Sequence, residues 1–357
     1  MAGLTLKNIY KRYENSGKKK KKQQNDYAVK DLNLLCEQGE FIALLGPSGC
    51  GKSTLLNVLA GLHEASSGEC YLDGKLIQGT GVERGVVFQQ YALFPNMTVE
   101  QNIAVCLRKL ERARRRARTA ELVSMLRLEG TEKLLPAQLS GGQQQRTALA
   151  RILASEPEAI LLDEPFAALD SYLKWQLELE LQEALASFAG PVIWVSHDRG
   201  EAYRNCGAVC VLDRGTSAPV TSLRELMTNP VTVSAARISG CKNYVPVRSG
   251  EAPGWVSVPD WGLALRAAAP WRAGVATLGI CAGSVRPAGE ETVNVFFCRV
   301  VRVTEDVSAA LVTLRPENAA PGAPLLHMEL RKELWTALPE GARIPVSVRP
   351  EDLLLLE

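Results

Sequence analysis

The sequence predicts an α/β fold built on a mainly parallel sheet, followed by a small all-β domain. Three observations carry that prediction. A buried-strand run, a glycine-rich loop and a helical run follow one another across residues 41–62. Short apolar runs then alternate with amphipathic stretches through residue 200, which implies parallel strands joined by helices. Beyond residue 230 the helical periodicity fades, and Gly- and Pro-containing turns separate short strand candidates. A chain of 357 residues is also too long for one typical core, so two domains are expected, 1–230 and 231–357.

Residues 3–13 and 27–45 alternate or run apolar like strands. Between them Lys18–Lys22 is a run of five lysines, which repel and stay solvated; a contact with anionic lipid or nucleic acid is the functional alternative. Phe41-Ile42-Ala43-Leu44-Leu45 reads as a buried strand and Leu55–Leu62 as a helix. The loop joining them, Gly46-Pro47-Ser48-Gly49-Cys50-Gly51-Lys52-Ser53-Thr54, fits G-x-x-x-x-G-K-[ST], the phosphate-binding P-loop, in the strand–loop–helix setting that motif requires. Glycines let successive N–H groups converge on phosphate oxygens without Cβ clashes, and the helix N-terminus favours an anion. Lys52 can reach the β- and γ-phosphates, and the Ser53 hydroxyl can ligate Mg2+. Cys50 reads as a small filler whose thiol could make the loop sensitive to thiol reagents.

Residues 99–135 look helical and carry the basic cluster Glu111–Arg118, an exposed helix face or a partner contact. Ile160–Leu162 and Pro191–Val195 read as short buried strands. Between them an amphipathic helix is expected from Ser171 to Phe188, with Leu173, Leu177, Leu181 and Leu185 at a four-residue spacing. In the last third the strand candidates are Val293–Val303, Ala309–Leu314, Leu325–Leu330 and Ile344–Val348. Arg286-Pro287 and Arg349-Pro350 each follow a Val and hint at a repeated β unit.

Bulk properties narrow the function classes. A net charge of +2 gives no global argument for nucleic acid or an anionic membrane. At 46% hydrophobic and 22% charged residues the composition is that of an ordinary globular protein. The first residues lack a signal-peptide layout, and no apolar run approaches the roughly 20 residues needed to span a bilayer. A soluble, cytosolic chain is expected. Nine cysteines without a paired C-x-x-C spacing point to reduced thiols rather than a disulfide framework.

Two further segments carry chemistry. Ile160-Leu161-Leu162-Asp163-Glu164-Pro165 is a strand ending in two carboxylates. Asp163 is placed to hold Mg2+, directly or through water, and Glu164 to orient and polarise an attacking water. Leu139-Ser140-Gly141-Gly142-Gln143 is a Ser-Gly-Gly turn opening a helix, a second anion site with a hydroxyl and free N–H groups. This segment resembles the LSGGQ signature of ATP-binding cassette (ABC) ATPases. Other motifs of that family stand in order along the chain. Gln89 resembles the Q-loop glutamine, Ala168-Leu169-Asp170 the D-loop and His197 the switch histidine. Tyr13 resembles the aromatic that stacks on adenine, with Tyr27 as the alternative.

The resemblance implies an ABC cassette of the P-loop NTPase fold, with a helical subdomain near residues 90–155. It implies ATP and Mg2+ as ligands and two cassettes paired head to tail. Each ATP would lie between the P-loop, Gln89, Asp163, Glu164 and His197 of one copy and Ser140, Gly141, Gly142 and Gln143 of the other. Glu164, His197 and Gln89 would be catalytic; Ser53, Gln89 and Asp163 would hold the metal; Asp170 would link the two sites.

Tyr91–Val99 and the close Val348-Arg349-Pro350-Glu351-Asp352 resemble bacterial importer cassettes with an appended OB-like, transport-associated domain. Within importers the longest resemblance is to molybdate/sulfate-type ATPases, carried by Phe88–Ile103, Ala168–Leu181, Ser239–Asn243 and Cys298–Val303. Gly79–Phe88 looks more like taurine or nitrate importer cassettes. The expectation is an ATPase subunit of an oxyanion importer, molybdate first, with sulfate or tungstate next. It would lie on the cytoplasmic face of the membrane, with separate permease subunits, an extracytoplasmic binding protein and no nucleic acid. A sulfonate or nitrate importer, or a soluble non-transport ABC ATPase, are the alternatives. Arg286, Arg299, Arg302 and Lys242 are candidates for an oxyanion site in the second domain, or cations of a solvated β surface.

Overall fold

The computed structural model of the chain describes residues 3–13, 27–88, 91–167, 171–331 and 339–357. It divides into two compact units, Met1–Leu223 and Arg224–Glu357, seven residues before the boundary expected from the sequence. Gln89, Asp170 and the Lys18–Lys22 run lie outside the described residues.

The first unit is organised by a sheet whose centre is parallel. Strands β1 (Leu4–Arg12), β2 (Tyr27–Cys36), β4 (Ser67–Leu72) and β5 (Lys75–Leu76) form an antiparallel sheet in the order β2-β1-β4-β5. A second sheet contains β3 (Phe41–Leu45), β6 (Arg84–Val87), β7 (Ala159–Asp163), β8 (Val192–Val195), β9 (Ala208–Asp213) and β10 (Thr216–Ser217). Their order is β10-β9-β3-β8-β7-β6, and β11 (Thr221–Ser222) pairs with β9. The pairs β3–β8, β3–β9, β7–β8 and β6–β7 are parallel. Strands β7 and β8 are continuous apolar runs because both sheet faces are covered, and period-2 alternation would bury polar groups. One core joins the sheets to α1 (Lys52–Leu59). The other packs helices on the opposite side.

Those helices are α2 (Val99–Ala104), α3 (Arg112–Met125), α4 (Gly141–Ala154) and α5 (Ser171–Leu185). The single helical region expected over 99–135 is broken into two helices with a short 3-10 turn at Val105–Leu107. Thr98 starts α2 with a capping box to Gln101. The first turn of α3 carries no acidic residue. Helix α6 (Arg199–Asn205) follows β8.

Helix α7 (Leu223–Thr228) straddles the division, and α8 (Val233–Ser239) belongs to the second unit. The rest of that unit is antiparallel β. Strands β12 (Asn243–Pro246), β16 (Thr277–Ile280) and β22 (Leu353–Leu356) form one sheet. Strands β13 (Arg248–Ser249), β14 (Trp255–Val258) and β15 (Leu263–Arg266) form another. The largest runs β17-β21-β18-β19-β20, from β17 (Arg286–Pro287), β18 (Val295–Glu305), β19 (Ala309–Pro316), β20 (Leu326–Arg331) and β21 (Arg343–Ser347). They surround one core that includes Trp261, Leu278, Val312 and Val346, as an OB-like domain requires. Asn243, 1% exposed, donates to the carbonyls of Ile280 (3.0 Å) and His327 (2.9 Å), so its buried amide is satisfied. The two Arg-Pro pairs differ in role: one is strand β17, the other opens a 3-10 turn.

One cysteine expectation fails. Cys241 and Cys281 form a disulfide with Cα atoms 4.1 Å apart, while seven cysteines are free. Antiparallel pairing of β12 with β16 sets Asn243 opposite Ile280, which brings the neighbouring cysteines together across 40 residues of sequence. Among the described residues no helix is long and apolar enough to cross a membrane.

Candidate functional site

The register of the parallel sheet gathers the chemistry at one edge. Val195 stands opposite both Leu44 and Asp163, so the carboxyl ends of β3, β7 and β8 lie side by side. The P-loop leaves the first, Asp163-Glu164 ends the second and Ser196-His197 follows the third. Open α/β sheets bind ligands at this edge.

Glycines shape the P-loop. Gly51 caps α1 with φ 111°, a left-handed conformation, and a Cβ there would collide with the Ala28 carbonyl. The loop is braced through Gly215, whose N–H donates to the Cys50 carbonyl (3.0 Å) and whose carbonyl accepts from Lys30 N–H (2.7 Å). Lys52 is 6% exposed, and its ammonium donates to the carbonyls of Gly46 (2.7 Å) and Pro47 (3.2 Å). Cys50 is 4% exposed, and burial pushes its thiol up against the opposing effect of Lys52. Both effects of burial, limited access and a raised thiol, work against the reagent sensitivity expected from the sequence.

Ser53 Oγ lies 3.5 Å from Asp163 Oδ1, so the hydroxyl and carboxylate converge. Burial raises the Asp163 carboxyl, and the neighbouring Glu164 raises it further; Ser53 and Lys52 act the other way. A hard oxygen pair of this kind fits Mg2+, which takes a few protein oxygens and completes its shell with phosphate and water. No cluster of three or more His, Cys, Asp or Glu ligands occurs among the described residues.

Glu164 has φ 46°, and its N–H donates to the Val195 carbonyl (3.0 Å). Its Oε2 lies 3.5 Å from His197 Nδ1. Sequence reasoning missed what holds His197 in place. Asp198 caps α6, accepting from Gly200 N–H (2.8 Å) and Glu201 N–H (3.3 Å). Lys174 of α5 pairs with Asp198 (2.6 Å) and Glu201 (2.9 Å), and Trp194 Nε1 donates to Glu201 (2.6 Å). Burial works to raise the Asp198 carboxyl, but hydrogen bonds from Lys174 and the backbone outweigh it and hold it low. The pairing of Lys174 crosses 24 positions and leaves no local pattern.

Tyr13 Oη donates to Thr54 Oγ1 at 3.4 Å, which sets this ring beside the P-loop, edge-on to His63. Tyr27 packs instead on Tyr10. Ser140, Gly141, Gly142 and Gln143 open α4 as a capping box: Ser140 Oγ accepts from Gln143 N–H (3.3 Å), which leaves its O–H free to donate, and Gln143 Oε1 accepts from Ser140 N–H (2.9 Å). Among the described residues no hydrogen bond ties this turn to the P-loop. In the second unit Lys242 pairs with Glu329 (3.0 Å). Arg286 is exposed on β17, and Arg299 and Arg302 are exposed on β18; β21 lies between the two strands.

Comparison with known proteins places this geometry. The ABC transporter family profile matches residues 29–167. The spermidine/putrescine import ATP-binding protein PotA of Methylococcus capsulatus is 43% identical over 223 residues, 61% of this chain and 58% of that protein. The sulfate/thiosulfate import ATP-binding protein CysA of Synechococcus elongatus is 42% identical over 224 residues, 61% of this chain and 65% of that one. The chain thus spans about three fifths of the length of such curated relatives. Among solved structures, the dimeric post-hydrolysis state of the ATP-binding cassette MJ0796 bound to ADP and Pi matches with TM-score 0.53 and 34% identity, over 62% of this chain and 99% of that one.

Proposed function

Because the chain belongs to the ABC transporter ATP-binding family, we propose that it is the ATP-hydrolysing subunit of an importer. The observation that supports this most is the convergence of Ser53, Asp163, Glu164 and His197 at the sheet edge above the P-loop. The P-loop amides and Lys52 hold the phosphates. Glu164 orients the attacking water and accepts its proton as the bond from the γ-phosphorus to the ADP oxygen breaks, releasing ADP and phosphate. His197 keeps the Glu164 carboxylate in register, and Lys174 with Asp198 keeps His197 in place. Ser53 and Asp163, with Gln89, would hold Mg2+, which neutralises phosphate charge when bound. Tyr13, beside Thr54, is the better placed ring for adenine. Two copies pair so that Ser140 and Gly142 of one serve the nucleotide of the other, with Asp170 at the junction.

Glu164→Gln tests the reading. It should bind ATP as the parent does, release phosphate about 10²–10⁴-fold more slowly, and accumulate ATP-dependent dimers. Parent-like phosphate release by this variant would remove Glu164 from the mechanism.

For cargo, the segments around Ser239–Asn243 and Cys298–Val303 support an oxyanion, molybdate first and sulfate or tungstate next. A relative named for sulfate/thiosulfate import supports the same class, while one named for spermidine/putrescine supports a polyamine reading. Uptake of labelled molybdate, sulfate and putrescine by cells lacking this chain separates them. Loss of putrescine uptake alone would reject the oxyanion.

A further inference from the structure

The amino-terminal end of α3 carries a charge that the nucleotide site does not use. Residues 108–118 hold six arginines and one lysine against a single acid, Glu111, in a chain whose net charge is +2. Arg118 pairs with Glu121 at 2.7 Å. Arg112, Arg114 and Arg116 are exposed and have no ion pair among the described residues. Glu111 stands at the N-cap without a side-chain cap hydrogen bond, and no acid follows it in the first turn, so these cations outnumber it at the positive end of the helix dipole and repel one another. Folding alone disfavours both features, and a bound polyanion relieves both.

The chemistry around the cluster selects the partner. Arg112, Arg115 and Arg116 fall on one side of a helix with 3.6 residues per turn and Arg114 on the other, so the charge wraps the first turns as a diffuse surface rather than lining a groove. Leu110, inside the cluster, is 41% exposed, the pairing of basic and apolar groups that an interfacial segment uses. No aromatic residue lies between 95 and 165, so none is interleaved with the arginines as in a typical single-stranded nucleic acid site. We propose that this end of α3 is a contact surface for anionic phospholipid headgroups. The inference draws on membership of a transporter family but not on the ATP reaction.

The test is co-sedimentation of the full chain with vesicles of mixed phosphatidylglycerol and phosphatidylcholine, and of phosphatidylcholine alone. Binding is expected to the anionic vesicles only, and to weaken as salt is raised. The triple variant Arg112→Gln, Arg114→Gln, Arg116→Gln should bind on the order of a hundredfold more weakly, since each basic side chain near such a surface contributes about fivefold. Unchanged ATP binding shows that the variant is folded; should it not fold, Arg114→Gln alone should lose about fivefold. A chain with Lys18–Lys22 changed to Gln should keep most of its vesicle binding. No binding to anionic vesicles, equal binding by parent and variants, or a loss that follows the lysine run instead would each overturn the proposal. So would tight binding of single-stranded RNA, lost in the arginine variant, without vesicle binding.

Discussion

Glu164 holds a backbone conformation that carboxylates seldom adopt. Its φ of 46° costs about 1–2 kcal/mol relative to the right-handed region, and the tie from its N–H to the Val195 carbonyl helps maintain it. What that strain secures is a carboxylate turned toward His197. Asp163, one residue earlier, shows the electrostatic side of the same arrangement. Burial and Glu164 raise its carboxyl, so folding favours the protonated form. For an acid raised in this way, the neutral form is stabilised below the unfolded value and the charged form is penalised as pH rises through the folded value. Asp163→Asn should therefore raise the melting temperature of the nucleotide-free chain at pH 7–8. The gain should vanish as pH falls below about 3.9, the ordinary aspartate value. A melting temperature unchanged at neutral pH would show that the penalty is compensated locally. The same variant should weaken the Mg2+ dependence of ATP binding.

At the scale of elements, two devices position what the sequence singled out. The turn at Ser140 is a helix start before it is anything else. Its capping box ties Ser140 to Gln143, so replacing Ser140 costs about 1 kcal/mol of helix stability whatever its partner. Ser140→Arg should abolish hydrolysis while leaving the ATP affinity of the monomer close to that of the parent. Mixed with Lys52→Ala, it should regain hydrolysis that neither shows alone, because one composite site then carries neither lesion. A Ser140→Arg monomer unable to bind ATP would place this turn in its own chain's site. The second device is the loop after residue 90. Tyr91 and Ala92 both have positive φ, 56° and 46°, in a loop that Asn102 and Arg151 brace. Asn102, 0% exposed, accepts from Phe94 N–H and donates to the carbonyls of Phe94, Met97 and Thr98. Arg151 donates to the Ala92 carbonyl at 2.7 Å. These bonds keep Phe94 45% exposed on an ordered loop.

For the whole molecule, each core cluster formed by the described residues falls within one unit. Those of the first unit are drawn from residues 4–212, and those of the second from 236–356. Residues 1–230 alone should therefore fold and bind ATP, with a cooperative melt. A truncated chain that aggregates or fails to bind ATP would make the second unit part of the cassette's stability. The disulfide belongs to this scale too, since only the β12–β16 pairing makes Cys241 and Cys281 neighbours.

The sequence by itself determined the strand–P-loop–helix unit, the carboxylates ending β7 and the order of motifs through His197, because each is written in contiguous residues. The strands Ala309–Pro316 and Leu326–Arg331 were legible for the same reason: short apolar runs bounded by turns. Tertiary structure alone decided which strand ends stand together, since parallel register is set by pairings across 30 to 150 residues and has no local code. It also decided that Lys174 braces the His197 loop, that Cys50 is buried and that one cysteine pair is joined. In each case the controlling quantity is distance or burial after folding, which the spacing of residues along the chain does not express.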